Sequence, residues 1–380
     1  MVGADVQVVA YYFPEYHADP HNDRWHGQGW TEWDLVKRAE PRYPGHRQPR
    51  QPLWGYADEA DPNVQAIKID SAADHGLAAW IWDWYWYEEG PFLSRALDDG
   101  YLQAQNRMRL PFALMWANHD WLDIHPAKRH GSPQILLPGT LSPNAFARAT
   151  AHITERYFSQ SNYWRVGGGL YFSIYEVMNL VRSLGDLTST RKALDAWRNE
   201  LARLGLGPLH LNAVVWGLRI LQTEHKIEGV NQVVSALGFD SVTSYVWIHH
   251  QPLSTFPETD YATYARLASE DWRRFRNEYH VPYFPNVTMG WDSSPRTVQS
   301  DRYDPVGYPF MATLGGNTPS AFKQALVEAR VFLAEGRTQP EILTINAWNE
   351  WTEGSYLEPD TQYGLEYLQA IKQVFGHNLA

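Results

Sequence analysis

The sequence predicts an α/β protein built as a single (β/α)8 TIM barrel, one catalytic domain over residues 1–380, with a long, aromatic-rich loop after the first strand. Two observations predict it. Eight short apolar runs alternate with segments whose apolar residues recur at helical spacing. Several of those runs are almost continuously apolar, as parallel strands covered on both faces are.

The runs, in order, are Val6–Phe13, Leu77–Tyr87, Pro111–His119, Gly169–Val177, Leu209–Trp216, Phe239–Trp247, Val281–Trp291 and Glu341–Trp351. Between the last two, Phe322, Ala325, Leu326, Ala329, Phe332 and Leu333 line one face of a helix over Ser320–Glu335, with Thr318 as its cap and Pro319 in its first turn. Leu365, Leu368, Ile371, Val374 and Phe375 define a final helix that stops at Gly376. Asp61–His75, Phe92–Met108, Asn144–Phe158, Arg191–Leu204 and Tyr261–Tyr279 also read as helices. The segment Pro14–Pro62 is too long for a plain connection, and loops of that length are often functional. An open doubly wound sheet is the competing fold. Its dinucleotide fingerprint is missing, since Gly27-Gln28-Gly29 and Gly205-Leu206-Gly207 both lack the third glycine.

Composition removes several functions. With 32 basic against 43 acidic residues the net charge is −11, which disfavours a nucleic-acid surface. The chain has no cysteine, so disulfides, thiolate nucleophiles and iron–sulfur clusters are excluded. No stretch has the length of a membrane span, and the start does not read as a signal peptide. A cytoplasmic location is therefore expected, or a periplasmic or secreted one if a leader has been removed. Trp, at 18 residues, is several-fold above ordinary usage. Aromatic faces stack on the C–H faces of sugar rings, so a carbohydrate partner is one reading and a Trp-rich core the other.

In such a barrel the site lies at the C-terminal ends of the strands. Polar and aromatic residues collect there: Tyr11, Tyr12, Glu15 and His17 after the first run, then Asp83 and Tyr85, and Trp116, Asn118 and His119 after the third. Tyr175, Trp216, Tyr245, Trp247, Trp291 and Asp292 follow, and the eighth run ends in Asn349-Glu350-Trp351-Thr352-Glu353. If the chain turns after Glu350, both glutamates can face one pocket. Glycoside cleavage needs a carboxylic acid for the departing oxygen and a second carboxylate as nucleophile or base. The bland alternative is a pair of solvated loop residues. His119-Asp120 and His249-His250 are poor metal pairs because adjacent strand side chains point oppositely. No HExxH, GxSxG or P-loop is present. Asn286-Val287-Thr288 matches a glycosylation acceptor but falls in a barrel strand; Arg47 and Arg50 could bind an acidic sugar or phosphate, with exposed loop arginines the more common case.

Tyr11–His17 (YYFPEYH), Trp30-Thr31-Glu32-Trp33, Tyr43–Pro49 (YPGHRQP), Trp116-Ala117-Asn118, Gly290-Trp291-Asp292 and Asn346–Pro359 (NAWNEWTEGSYLEP) together resemble the WbsX-like proteins of bacterial polysaccharide clusters, relatives of glycoside hydrolase family 99. The resemblance implies a (β/α)8 barrel and a retaining, endo-acting hydrolase of α-mannosides. It implies that Glu350 assists the substrate 2-hydroxyl, which attacks the anomeric carbon, and that Glu353 is the acid/base. It adds Trp30 and Glu32 to the expected sugar-binding set of Tyr12, His17, Asp83, Tyr85, Trp116, Asn118, His119, Tyr245, Trp247, Trp291, Asp292, Asn349 and Trp351. Trp116–Trp121, WANHDW, departs from the family's usual WANENW in its polar groups.

The expected function is thus a glycoside hydrolase needing no metal or organic cofactor. The alternatives are a glycosyltransferase building a surface polysaccharide and a non-catalytic carbohydrate-binding barrel.

Overall fold

A computed structural model describes residues 6–218, 229–298, 300–336 and 340–376. Its nine barrel strands are β1 (Gln7–Tyr12), β2 (Leu77–Tyr87), β3 (Phe112–Trp116), β4 (Gly169–Ile174), β5 (Leu209–Val214), β6 (Ser241–Thr243), β7 (Tyr283–Phe284), β8 (Asn286–Thr288) and β9 (Ile342–Asn346). They pair in the order β7-β6-β5-β4-β3-β2-β1-β9-β8, every neighbour parallel. Only Pro285 separates β7 from β8, so these are two halves of one crossing. Proline has no N–H to donate and the ladder breaks there. β7 bonds β6, β8 bonds β9, and the Pro285 carbonyl accepts from the Thr344 amide at 2.9 Å. The ring is therefore nearly closed. Each of the eight runs read from the sequence contains its strand.

Helices follow the strands. In chain order they include α1 (Pro20–His26), α2 (Trp33–Arg38), α3 (Pro62–Asp74), α4 (Pro143–Arg156), α5 (Val177–Leu184), α6 (Leu187–Arg203), α7 (Val230–Leu237), α8 (Tyr261–Glu278), α9 (Pro319–Ala334) and α10 (Glu366–Phe375). The Thr318 side chain caps α9 by accepting from the Ala321 amide, and the six apolar residues of its inner face are at most 2% exposed. The helix expected over Phe92–Met108 is not there. That stretch forms a π turn at Ala96–Gly100 and short 3-10 turns at Tyr101–Gln103 and Arg107–Arg109. A Cβ on Gly100 would meet the Glu59 carbonyl at 2.2 Å, so the backbone presses against the long loop here. Its apolar spacing marked burial and not an α-helix: Ala96, Leu97, Tyr101 and Leu102 are all buried.

The long loop Pro14–Pro62 carries α1 and α2 and lies against the segment after β9. The Leu53 amide donates to the Pro359 carbonyl at 2.8 Å, and Arg50 Nη1 donates to the Gly354 carbonyl at 3.0 Å. The Asn286-Val287-Thr288 tripeptide is fully buried in β8, as its strand position required. No helix among the described residues is long and apolar enough to cross a membrane.

Candidate active site

The two glutamates are brought together by a small turn. Asn349–Glu350 pairs antiparallel with Ser355–Tyr356, and a 3-10 turn, Trp351–Glu353, joins them. At three residues per turn, positions i and i+3 eclipse, so Glu350 and Glu353 project to the same side. Gly354 closes the turn at φ +64°, a left-handed conformation that favours glycine. A Cβ there would lie 2.6 Å from the Asp292 Cβ. Below the turn, Asn349 ties the hairpin to the end of β1, donating to the Phe13 carbonyl at 2.6 Å and accepting from its amide at 2.8 Å.

Both carboxyls open on one cavity of about 590 Å3 at the C-terminal ends of the strands. Glu353 Oε1 accepts from Arg296 Nη1 at 2.5 Å and from the Tyr308 hydroxyl at 2.6 Å. The same guanidinium stands 3.9 Å from Glu350 Oε2. The Tyr245 hydroxyl lies 2.8 Å from Asp83 Oδ2 and 3.2 Å from Glu350 Oε1. A phenol carries one proton, so both contacts are hydrogen bonds only when one of the two carboxyls is protonated. Burial and the Glu353 charge push the Glu350 carboxyl well above its ordinary value, against the pull of Arg296. Burial, with the Glu353 charge, raises Asp83 strongly against the pull of the Tyr245 hydrogen bond. Glu353 is raised by burial too, but Arg296 and Tyr308 hold it back.

Of the residues expected to meet sugar, Asp83, Tyr85, His119, Tyr245 and Trp291 line this cavity with the two glutamates. The others do not. Strand alternation decides two of them. Tyr11 turns into the barrel beside Tyr245, 4.6 Å between centroids, so Tyr12 turns outward and stacks on Trp82 at 3.8 Å. Met115 and Ala117 face the cavity, so Trp116 packs outward against Trp84 and Phe146. Asn118 is a clamp: its side chain donates to the Glu176 carbonyl and accepts from the Glu176 amide, each at 2.8 Å. Trp247 donates its indole N–H to the Asn286 carbonyl at 2.8 Å, and Trp351 stacks on Tyr356 with centroids 3.7 Å apart. Asn349 is spent on Phe13. His17 is 1% exposed and Trp30 packs on His26.

Glu32 and Asp292 lie one layer behind the wall. Burial opposes their ionisation and is overcome in both. Arg296 and His125 bring the Glu32 carboxyl to about 2. The His46 contact at 2.9 Å and the Arg50 charge hold Asp292 well below the usual carboxylate range. Arg50, expected on the surface, is thus a largely buried partner of Asp292, and Arg47 pairs with Asp360 at 2.9 Å. Glu15, Glu32 and His125 offer atoms within 4.8 Å of one another, close enough for a metal ion. Arg296 already meets the Glu32 charge, with Nη2 3.0 Å from Oε1, and Thr352 and His125 also contact that carboxylate, while Glu15 Oε2 has no hydrogen-bond partner among the described residues.

Sequence reasoning missed Arg296, Tyr308 and His125. Arg296 sits in a 3-10 turn after β8, and Tyr308 and His125 lie in irregular loops, so no periodicity marked them. Their one signal was chemical: three aromatic or cationic residues on the connections that follow strand ends.

The fold is a nearly closed parallel α/β barrel with two glutamates opening on one cavity at its mouth. The chain belongs to the family described as Glycosyltransferase WbsX, whose model matches residues 8–371. It is 29% identical over 368 residues to proteins of Xanthomonas campestris pv. campestris named Uncharacterized protein WxcX, covering 96% of this chain. The chain spans about half the length of those curated relatives, 49%. Among solved structures it is similar to a glycoside hydrolase-like protein, with a TM-score of 0.62 at 14% identity over 99% of this chain and 96% of that one. It is also similar to the GH99 endo-alpha-mannosidase from Bacteroides thetaiotaomicron, with a TM-score of 0.56 at 14% identity over 98% and 97% of the two chains. At that identity the likeness is one of fold.

Proposed function

We propose that this protein is a retaining glycoside hydrolase acting on α-mannoside-like linkages of a polysaccharide or oligosaccharide. The observation that carries the reading is that Glu350 and Glu353 project into one cavity on either side of the Arg296 guanidinium. In this reading Glu350 takes the proton of the substrate 2-hydroxyl as that oxygen bonds to the anomeric carbon. The bond to the leaving oxygen breaks, and Glu353 supplies its proton. Water then opens the strained ring, with Glu353 as base and Glu350 returning the proton to the 2-oxygen.

Tyr245 lies within hydrogen-bond reach of both Glu350 and Asp83, which requires a proton on one of them, and Glu353 is held by two donors. The stored proton therefore sits on the Glu350–Tyr245–Asp83 side. A leaving oxygen arriving at Glu353 takes the place of the Tyr308 and Arg296 bonds and lets that carboxyl accept the proton. The fold of the GH99 endo-alpha-mannosidase supports the hydrolase reading, while the family description favours a second one, glycosyl transfer on the same barrel. Transfer requires an activated donor.

The test is incubation with α-mannans and bacterial polysaccharides, following the first product anomer by NMR. Initial release of the retained anomer is expected. Glu353→Gln is expected to lower turnover by about 10²–10⁴-fold while sugar binding persists. Initial release of the inverted anomer overturns the mechanism. Elongation that depends on a nucleotide-linked or lipid-linked sugar selects the transferase.

A further inference from the structure

The wall of the cavity facing the glutamates is not built like a site for hydroxyls alone. In the ring order, β4 lies across from β9, with β3 and β5 flanking it. Across from the glutamates the segments after β3 and β4 present Leu122, Ile124 and Met178 to the cavity, and Ile248, after β6, lies at its side. Leu122, Ile124 and Ile248 are only half-buried, so aliphatic surface stays open to whatever fills the space.

Two of the polar groups on that side are engaged within the protein, while Asp120, Glu176 and Arg182 line the cavity beside the aliphatic patch. The Tyr175 hydroxyl lies 3.2 Å from His249 Nε2, and Asn179 donates to the Asn118 carbonyl at 3.0 Å. A hydroxyl pressed against these aliphatic side chains loses its bonds to water and gains none, whereas a methyl group gains by leaving water.

We propose that the glycan bound here carries a methyl-bearing group against this wall: the methyl of a 6-deoxy sugar or of an acetyl substituent, in place of a free hydroxyl. The proposal rests on the reading of the cavity as a glycan site. It specifies the class of sugar within that reading.

The experiment is equilibrium binding to the intact protein, by saturation-transfer NMR titration of three probes. They are methyl α-D-mannoside, methyl α-D-rhamnoside (its 6-deoxy analogue) and methyl 6-O-acetyl-α-D-mannoside. One methyl-bearing probe is expected to bind roughly tenfold tighter than the mannoside, the size of preference a hydrophobic pocket gives for one such group. Which probe wins tells the deoxy from the acetyl source. In the double variant Leu122→Thr/Ile124→Thr the preference is expected to fall below twofold. Equal or tighter binding of the mannoside to the wild type overturns the proposal and leaves the glycan reading standing. A preference that survives the double variant also overturns it. Failure of all three probes to bind removes the glycan reading and this proposal together.

Discussion

Arg296 donates to the Glu353 carboxyl at 2.5 Å, and it does so from a guanidinium whose other face is held by Glu32. All three side chains are nearly or fully buried. Glu32 matters for the site without lining it, because it fixes the one cation between the two proposed catalytic acids.

Removing that cation should be costly in a particular way. Arg296→Met leaves Glu32 as an uncompensated buried charge, expected to destabilise the fold by about 3–5 kcal/mol. Adding Glu32→Gln removes the stranded charge, so the double variant should recover most of that loss in urea denaturation. Turnover should stay low in both, because Glu353 has lost its partner. Additive losses in the double-variant cycle would show that Glu32 and Arg296 are not a coupled pair.

Asp83 is expected to act on the chemistry through Glu350. The groups facing Glu350 are Glu353, Arg296, Asp83 and Glu32, with the phenols of Tyr16, Tyr85, Tyr175, Tyr245 and Tyr308 around it. The Asp83 charge also raises Glu350, after burial and Glu353. Asp83→Asn keeps an acceptor for Tyr245 and removes that charge. Glu350 should then ionise at lower pH, and the limb of the pH–rate profile that it governs should move to the acid side. A uniform fall in rate with an unmoved limb would assign Asp83 to structure alone.

The strands and the acid pair were legible in the sequence for physical reasons. Parallel strands covered on both faces read as apolar runs, and a turn after Glu350 was enough to bring Glu353 back. Which strand-end residues reach the cavity was less legible. Tyr11 and Tyr12, or Met115 and Trp116, are chemically plausible neighbours, and only the facing of the strand separates them. Arg296 and Tyr308 come from irregular connections, where position follows tertiary packing that no period records. Phe92–Met108 shows the converse error, because apolar spacing reports burial whether or not the backbone is α-helical.

Gly354→Ala should break the site from its backbone. The left-handed φ of +64° disfavours any side chain, and the new Cβ would collide with Asp292. The expected loss exceeds about 1 kcal/mol of stability, with turnover falling further than stability because Glu353 shifts relative to Glu350. Gly364→Ala is the control, since its φ is +51° but nothing lies within 4 Å of the added Cβ. Backbone strain alone would make the two variants alike. A larger loss of turnover at Gly354 marks the turn as the element that aligns the acids.

The raised Glu350 carboxyl implies that the proposed chemistry is held against stability, and the sign follows from linkage. The fold favours the protonated form, so the group's contribution is fully present below the ordinary carboxyl value of 4.5. It is lost as the pH rises through the raised value, because the folded protein must then hold a buried anion beside Glu353. Glu350→Gln cannot ionise. Its melting temperature relative to wild type should therefore be close to unchanged near pH 4 and increasingly higher towards pH 8, while turnover is lost at every pH. Calorimetric melts across that range give the comparison. A difference that stays constant with pH would mean that Glu350 is already ionised without penalty, and the proton store assigned to the Tyr245–Asp83 side would have no basis.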